Sequence, residues 1–396
     1  MSAPATTRAR PAETGPKLGA APMARWGGER ATRPSLPSLT GMRWVAALAV
    51  FGLHVDLVGY FGGIGGKVVD WGFAAGDTGV SFFFVLSGFV LMWSARPRDR
   101  AVRFWRRRFA RVYPVHLATV GLALLMAYTI TPYMKPDHGE VAANLLLVHS
   151  WTYAWRDTLN PVSWSLACEA FFYALFPLLA RALRRCSVRV TRVVGGVSVL
   201  AVVLLPSLTT WFGIGWSVYY SPLARLPEFV LGAVLARLVL LDRWRGPGRH
   251  AALAITAVCY FAAPAFGGNE HAAVTILGFT LLIPAAARAD LTGEPSSWRH
   301  PALVRLGELS FAFYMIHLLV IRAVEAVFHS YSPHLPPLPA FGVTAAVFAT
   351  SLGFAWLLYE GVECPARRLV LREWRAAFHR PRPNARAGAR GGESVA

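Results

Sequence analysis

Long runs of apolar residues, separated by short polar segments, dominate the chain from residue 44 to residue 359. Crossing a hydrocarbon core of about 30 Å takes roughly 17–25 mostly apolar residues in a helix. The pattern therefore predicts an all-α, polytopic membrane protein. We place ten spans, at 44–60, 79–95, 112–131, 162–183, 193–212, 223–241, 250–266, 272–287, 304–324 and 338–359.

Segment 132–161 does not fit this pattern. Its apolar stretch VAANLLLVHSWTYAW is too short to span a bilayer comfortably. We expect it to form an interfacial or re-entrant segment on the outer side.

The distribution of basic residues supports this topology. If the N-terminus is cytoplasmic, the inside segments hold 35 of the 40 Lys and Arg residues. Such residues accumulate on the cytoplasmic side of membrane proteins, and adding or removing one span would invert every later loop. Both termini are therefore expected in the cytoplasm. The protein is expected in the lipid bilayer of the plasma membrane.

Composition excludes several other classes of protein. Charged residues make up 15% of the chain, against about a quarter in soluble domains. The net charge of +19 is typical of nucleic-acid binding, but the basic clusters lie between apolar segments, so we expect no nucleic-acid partner. The four cysteines are widely spaced, without a C-x-x-C pair or histidines at zinc-ligand spacing. We predict neither disulfides nor a metal site.

Three regions follow from this composition. Residues 35–372 form the predicted membrane domain. Residues 1–34 and 373–396 are basic, lack an apolar core and are predicted to be disordered cytoplasmic tails. The first of them has no h-region of a signal peptide.

Arg43 and His54 are the most informative polar residues, because both lie in or at the first predicted span. Eleven residues at about 100° each turn only some 20° beyond three full turns, so the two side chains share a helix face. The rise of about 16 Å carries His54 from the cytoplasmic boundary to roughly mid-membrane. Ionisable groups at this depth are costly and indicate a functional site.

Other spans bring polar residues to a similar depth. Glu169 and His317 are expected in the middle third of the membrane, where a shared cavity with His54 would keep them from lipid. Ser165 lies one turn before Glu169, and Glu228 is a further candidate cavity residue. Alternatively, His317 is a neutral core residue bonded to a backbone carbonyl, and Glu169 is a structural partner of an arginine.

A basic segment at 96–111 holds eight arginines in sixteen residues. It would anchor the topology and contact anionic lipid in any case. Arginine also binds phosphate through two parallel hydrogen bonds. We select Arg107, Arg108 and Arg111 as candidate donor-binding residues.

These residues and their order resemble the acyltransferase type 3 family of multi-pass membrane enzymes. Its hallmark is an arginine and a histidine separated by ten residues in the first span, as in Arg43 and His54. Further similar motifs are GDTGVSFFFVLSGFVLMWS, FWRRRFARVYPVH, VSWSLACEAFFYALFP, LPEFVLGAVLAR, LGELSFAFYMIHLLVI and YEGVECPARR. The resemblance extends from about Leu36 to Arg368.

The resemblance implies acyl transfer, usually from an acyl-CoA co-substrate, to a hydroxyl group of a sugar, polysaccharide or small natural product. No tightly bound cofactor is expected. A histidine suits removal of the hydroxyl proton near neutral pH, so His54 is the expected general base. Arg43 would hold the donor, and Glu169 would orient an imidazole or the acceptor. A covalent acyl-histidine is the less favoured route.

Several alternatives stay open. An exporter with a His/Glu proton relay belongs to a different class of protein. Membrane-bound O-acyltransferases also use an intramembrane histidine, but theirs lies late in the chain. The acceptor is either a cell-envelope glycan or a glycosylated metabolite such as a macrolide, since the composition is typical of high-GC actinobacterial proteins. Acyl length and oligomeric state are not readable from the sequence.

Overall fold

The structure is a computed structural model that describes residues 33–96, 99–213, 218–267, 271–328 and 332–370. Of the two predicted tails, all but residues 33 and 34 lie outside the described residues.

Twelve α-helices follow one another along these residues, and no β-strand forms within them. The helices are α1 Pro37–Val58, α2 Gly63–Phe73, α3 Thr78–Ser94, α4 Ala101–Thr129, α5 His138–Leu145, α6 Trp164–Arg185, α7 Val188–Trp211, α8 Pro222–Leu240, α9 Arg249–Ala262, α10 His271–Thr292, α11 Pro301–Phe328 and α12 Pro337–Leu358. A π-helical turn, Tyr359–Glu363, follows α12.

Within the described ranges, nine helical segments are long and apolar enough to cross a membrane. They correspond to nine of the ten predicted spans. The remaining predicted span, 223–241, also forms a helix, α8, but this helix carries Arg225, Glu228 and Arg237 along its 19 residues. The prediction of a polytopic all-α protein is confirmed.

One long helix shows which surface faces lipid. Along α7, large aliphatic residues separated by three or four positions remain 41–60% exposed: Val190, Val193, Val197, Leu200, Leu204 and Leu208. A soluble protein would bury this stripe in its core. Its exposure is typical of a helix in contact with lipid acyl chains.

Three boundaries differ from the prediction. Helix α1 begins at Pro37, seven residues early, because a proline suits the first helical turn. The basic segment is helical from Ala101 onward rather than a loop, since arginine is a good helix former. The predicted outer connection after α1 contains α2, which packs against α1.

Close helix contacts fix the arrangement around the site. Helices α3 and α8 approach so closely that a Cβ atom added to Gly232 would lie 1.8 Å from the Val85 carbonyl oxygen. At the start of α11, a Cβ on Gly307 would lie 1.9 Å from the Thr40 carbonyl oxygen of α1. Small residues at such crossings allow helix backbones to pack without intervening side chains.

The predicted re-entrant segment contains only short helices. The longest, α5, has eight residues and begins with a capping box between Asp137 and Glu140. Single 3-10 turns lie at His149–Trp151 and Pro161–Ser163. This agrees with the expectation that the segment does not span the membrane.

Candidate functional site

His54 and His317 are in direct contact, although 263 residues separate them in the chain. The Nε2 atom of His317 lies 3.2 Å from Nδ1 of His54. His317 is fully buried on α11 and its ring stacks against Phe313 at a centroid distance of 5.9 Å. His54, on α1, is only partly buried. Packing therefore fixes His317 more firmly than His54.

The hydrogen bonds determine which nitrogen of each ring carries the proton. A carbonyl oxygen only accepts, so Nδ1–H of His54 donates to the Val50 carbonyl at 2.8 Å. For the same reason Nδ1–H of His317 donates to the Tyr314 carbonyl at 2.8 Å. In a neutral ring Nε2 of His317 is then an acceptor for His54 Nδ1–H. This assignment leaves the Nε2 lone pair of His54 available to accept a proton.

A cavity of about 120 Å³ is lined by residues of α1, α3, α4, α6 and α11. Three arginines, Arg43, Arg108 and Arg111, line it together with Glu169 and Tyr173. None of the three arginines forms an ion pair with a described carboxylate. Nε of Arg108 is buried without a hydrogen-bond partner. The three arginines are half-buried, and guanidinium groups without a carboxylate partner around a cavity are suited to binding an anion.

Two arginines of α4, Arg108 and Arg111, reach the cavity. They are three residues apart and share one face of the helix. Arg107 is four residues before Arg111, so helical spacing alone does not exclude it, but its guanidinium forms an ion pair with Asp99 instead. Arg103, four residues before Arg107, also lies 4.0 Å from this carboxylate. The structure thus separates the predicted donor-binding residue Arg107 from the other two.

Polar side chains on α6 and α11 form the opposite wall. Glu169 accepts a hydrogen bond of 2.7 Å from the Tyr173 hydroxyl and contacts neither histidine in this way. The hydroxyls of Ser165 and Tyr314 are 2.9 Å apart, and both reach the Val162 carbonyl. Ser165 is therefore a cavity residue bonded to Tyr314 rather than to Glu169.

Tyr314 connects the cavity to the histidine pair. It lines the cavity, and its ring centroid lies 5.9 Å from that of His317. The sequence hypothesis placed His54, Glu169 and His317 around one cavity. In the structure Glu169 lines the cavity, whereas neither histidine is among the residues that line it. Tyr314 and His317 are three residues apart on α11, so helical spacing places the two rings side by side.

His54 lies nearer one end of its helix than the sequence indicates. It is four residues before Val58, the last residue of α1, while Arg43 is six residues after the first. The earlier start of α1 accounts for this difference. The two side chains remain on one helix face, about 16 Å apart along the axis.

Glu228 lies apart from the cavity. Its Oε1 atom accepts a hydrogen bond of 2.8 Å from Arg225, and both side chains are buried. Arg225 also donates to Ser81 and lies over the rings of Phe84 and Tyr219. A buried pair surrounded in this way ties α8 to its neighbours.

The segment before α6 is bonded to the part of α11 that carries His317. Asn160 donates to the Met315 carbonyl at 2.8 Å, and Ser163 lies 3.1 Å from Nε2 of His149. Burial, reinforced by the charge of His116, lowers the pKa of His149 to about 4. His149 is thus neutral at pH 7, and its hydrogen bond to Ser163 stabilises the segment before α6.

Sequence reasoning missed Tyr173 and Tyr314. A detectable signal was present for Tyr173, since it lies four residues after Glu169 on α6 and so shares its face. Nothing in the sequence indicates that Tyr314 contacts Ser165. Among the described residues, no group of three or more His, Cys, Asp or Glu side chains could hold a metal ion.

Known proteins similar in sequence identify the family of this chain. The sequence profile described as "Acyltransferase domain" matches residues 36–360, most of the chain. The chain belongs to the acyltransferase type 3 family. Acyltransferase MdmB of Streptomyces mycarofaciens is 37% identical to it over 364 residues, covering 85% of this chain and 92% of that protein.

More distant acyltransferase relatives are longer than this chain. The putative O-acetyltransferase SAR0937 of Staphylococcus aureus (strain MRSA252) is 24% identical, over 87% of this chain and 59% of its own length. Peptidoglycan O-acetyltransferase OatA of Listeria monocytogenes is 23% identical, over 86% and 57%. No solved structure matches significantly. The protein is thus a multi-pass membrane acyltransferase.

Proposed function

We propose that this acyltransferase moves an acetyl or other short acyl group from acyl-CoA to a hydroxyl of a carbohydrate, a cell-envelope glycan or a glycosylated natural product such as a macrolide, in the plasma membrane. The observation that carries the proposal is the free Nε2 lone pair of His54. Nδ1–H of His54 bonds to Val50 and His317, so Nε2 can accept a proton. The name of OatA, a peptidoglycan O-acetyltransferase, supports a glycan acceptor.

In this proposal His54 is the general base. Its Nε2 atom removes the acceptor's hydroxyl proton as the oxygen attacks the thioester carbonyl carbon. The carbon–sulfur bond then breaks, and the thiolate takes the proton back from the imidazolium. The products are an ester and free CoA. His317 holds the His54 ring through Nδ1–H, as the orienting member of a catalytic triad does.

The arginine-lined cavity supports a phosphate-bearing donor. Arg43, Arg108 and Arg111 are on the end of the helices that the charge distribution assigns to the cytoplasm. Coenzyme A carries three phosphate groups, which bind arginine well. At about 120 Å³ the cavity is similar in size to an engineered cavity of about 150 Å³ that admits benzene. It accommodates only part of such a donor, whose thioester end must extend past Tyr314 toward His54.

Purified protein incubated with labelled acetyl-CoA and a panel of glycan and macrolide acceptors tests the proposal. We expect transfer of label by the wild type and loss of it, by about 10²–10⁴-fold, in His54→Ala. Equal expression and thermal unfolding of the two proteins is the control for folding. Full activity of His54→Ala would refute the mechanism.

The exporter alternative is not retained, because the chain belongs to a family of acyltransferases. Acceptor flux across proteoliposomes without acylation would be the result that restores it. The side from which the acceptor arrives is tested in the same vesicles, by adding the acceptor inside or outside.

A further inference from the structure

The cavity is elongated along the helices that surround it. On α3 its lining extends from Val80 to Leu91, a rise of about 16 Å. In the topology that the basic residues predict, Leu91 is nearer the cytoplasm and Val80 is nearer the outer face. The two ends of a donor that extends along this space would therefore contact different parts of the lining.

The cytoplasmic end of the cavity is polar and charged. Ser87 of α3 lies 3.4 Å from the Tyr173 hydroxyl, and this hydroxyl donates to Glu169. The Tyr173 ring also contacts Phe104, over which the guanidinium group of Arg108 lies at 5.9 Å. Charged groups that can bind a phosphate are thus gathered at this end.

The outer end of the cavity is lined mainly by apolar side chains. Phe83 lies one turn before Ser87 on α3, and its ring centroid is 6.0 Å from that of Tyr314. The Tyr314 hydroxyl is already bonded to Ser165 and to the Val162 carbonyl. This end therefore offers contacts for a hydrocarbon chain. The other apolar residues that line it are Val80, Phe84, Leu166 and Met315.

Phe83 differs from its two neighbours in the chain. Its side chain is half-buried and lines the cavity, whereas Phe82 and Phe84 are buried. The ring of Phe82 packs against Phe279 of α10 at a centroid distance of 5.4 Å and does not line the cavity. Removing the ring of Phe83 would therefore enlarge the cavity, and removing that of Phe82 would not.

The volume of the cavity limits the length of chain that it holds. At about 120 Å³ the whole cavity is smaller than an engineered cavity of about 150 Å³ that admits benzene. Only its outer end is apolar, so this end has room for about two to four carbon atoms. A longer chain would press against Phe83, because packed interiors take up extra methylene groups only at a cost in free energy.

We propose that the outer end of the cavity is the acyl pocket of the donor, that it takes chains of about two to four carbon atoms, and that Phe83 limits their length. The donor extends from the arginines past Tyr314, which places its acyl chain against Phe83, Leu166 and Met315. This inference deepens the proposed function and rests on it, because it assumes that the cavity binds acyl-CoA.

The experiment measures binding of acetyl-, butyryl- and hexanoyl-CoA to the purified full-length protein in detergent by isothermal titration calorimetry. We expect the wild type to bind hexanoyl-CoA at least about tenfold more weakly than acetyl-CoA, since one methylene group in a hydrophobic pocket changes discrimination by about 10–200-fold. In Phe83→Ala the affinity for hexanoyl-CoA relative to acetyl-CoA should rise at least about tenfold. The matched control is Phe82→Ala, which removes the same ring outside the cavity and should keep the wild-type ratio.

Equal affinity of the wild type for the three thioesters would overturn the inference, as would a wild-type ratio in Phe83→Ala or an equal change of the ratio in Phe82→Ala. If Phe83→Ala does not fold, Phe83→Leu removes less of the side chain, and an unchanged ratio in that variant counts equally against the inference. Wild-type protein that binds none of the thioesters would refute this inference together with the proposed donor. Protein that shows the expected dependence on length but acylates no acceptor would refute the proposed function alone.

Discussion

Replacing His317 by phenylalanine tests whether the histidine pair works as the hydrogen bonds indicate. The change removes the Nε2 acceptor of His54 Nδ1–H. It keeps an aromatic ring in a fully buried site between Phe313 and Phe51. The fold should therefore be preserved while the hydrogen bond is lost.

The expected loss follows from the two acceptors of His54. Nδ1–H bonds to the Val50 carbonyl at 2.8 Å and to His317 Nε2 at 3.2 Å. Hydrogen bonds to charged groups contribute about 1.5–3 kcal/mol, and His54 becomes cationic as it accepts the hydroxyl proton. The bond to His317 is longer, and Nδ1–H also bonds to Val50. We therefore expect its loss to raise the activation free energy by about 1–2 kcal/mol. This corresponds to a decrease of about 5–30-fold in kcat.

The assay is initial-rate transfer of label from acetyl-CoA at saturating acceptor, comparing His317→Phe, His54→Ala and the double variant. Because His317 acts through His54, the double variant should be no slower than His54→Ala. Activity should also decrease toward low pH in the wild type, as a protonated imidazole cannot act as a base. An unchanged kcat in His317→Phe, or a decrease as large as that of His54→Ala, would refute this reasoning.

Two further predictions concern the donor cavity and the helix packing. Arg108→Ala should raise the KM for acyl-CoA about tenfold, since it removes a phosphate-binding group that contributes about 1.4 kcal/mol to binding. Arg107→Ala breaks a partly exposed ion pair with Asp99 and should change this KM less than about twofold. Equal effects of the two substitutions would contradict the assignment of Arg108, and not Arg107, to the cavity. Gly232→Ala should destabilise the protein by about 1–3 kcal/mol or more in thermal unfolding, because its Cβ would overlap the α3 backbone. Gly196→Ala, whose Cβ meets no atom within 4 Å, is the control and should leave stability unchanged or slightly higher.

Much of the fold was predictable because its signals are local. A run of about twenty apolar residues predicts a spanning helix wherever it occurs, and basic residues mark the cytoplasmic ends. Helix α8 was predicted correctly as a helix, although its charges exclude it from the helices that are apolar enough to cross a membrane by composition. Helix α2 was missed because Gly63, Gly65 and Gly66 indicate a turn, whereas contact with α1 stabilises a helix there.

The candidate site was predictable one helix at a time. The common face of Arg43 and His54 follows from helical spacing alone, as does that of Arg108 and Arg111. The sequence also identified Glu169 and Ser165 as polar residues on one helix. It did not distinguish Arg107 from its neighbours, because the ion pair of Arg107 with Asp99 forms only in the folded chain.

By itself the sequence determined a polytopic helical protein, its family and the residue types available for acyl transfer. Only the tertiary structure decided which side chains from different helices meet: His54 with His317, and Ser165 with Tyr314. These pairings depend on how each helix is rotated and how closely it approaches its neighbours. Contacts such as that of Gly307 with Thr40 set both quantities, and hydropathy does not encode them.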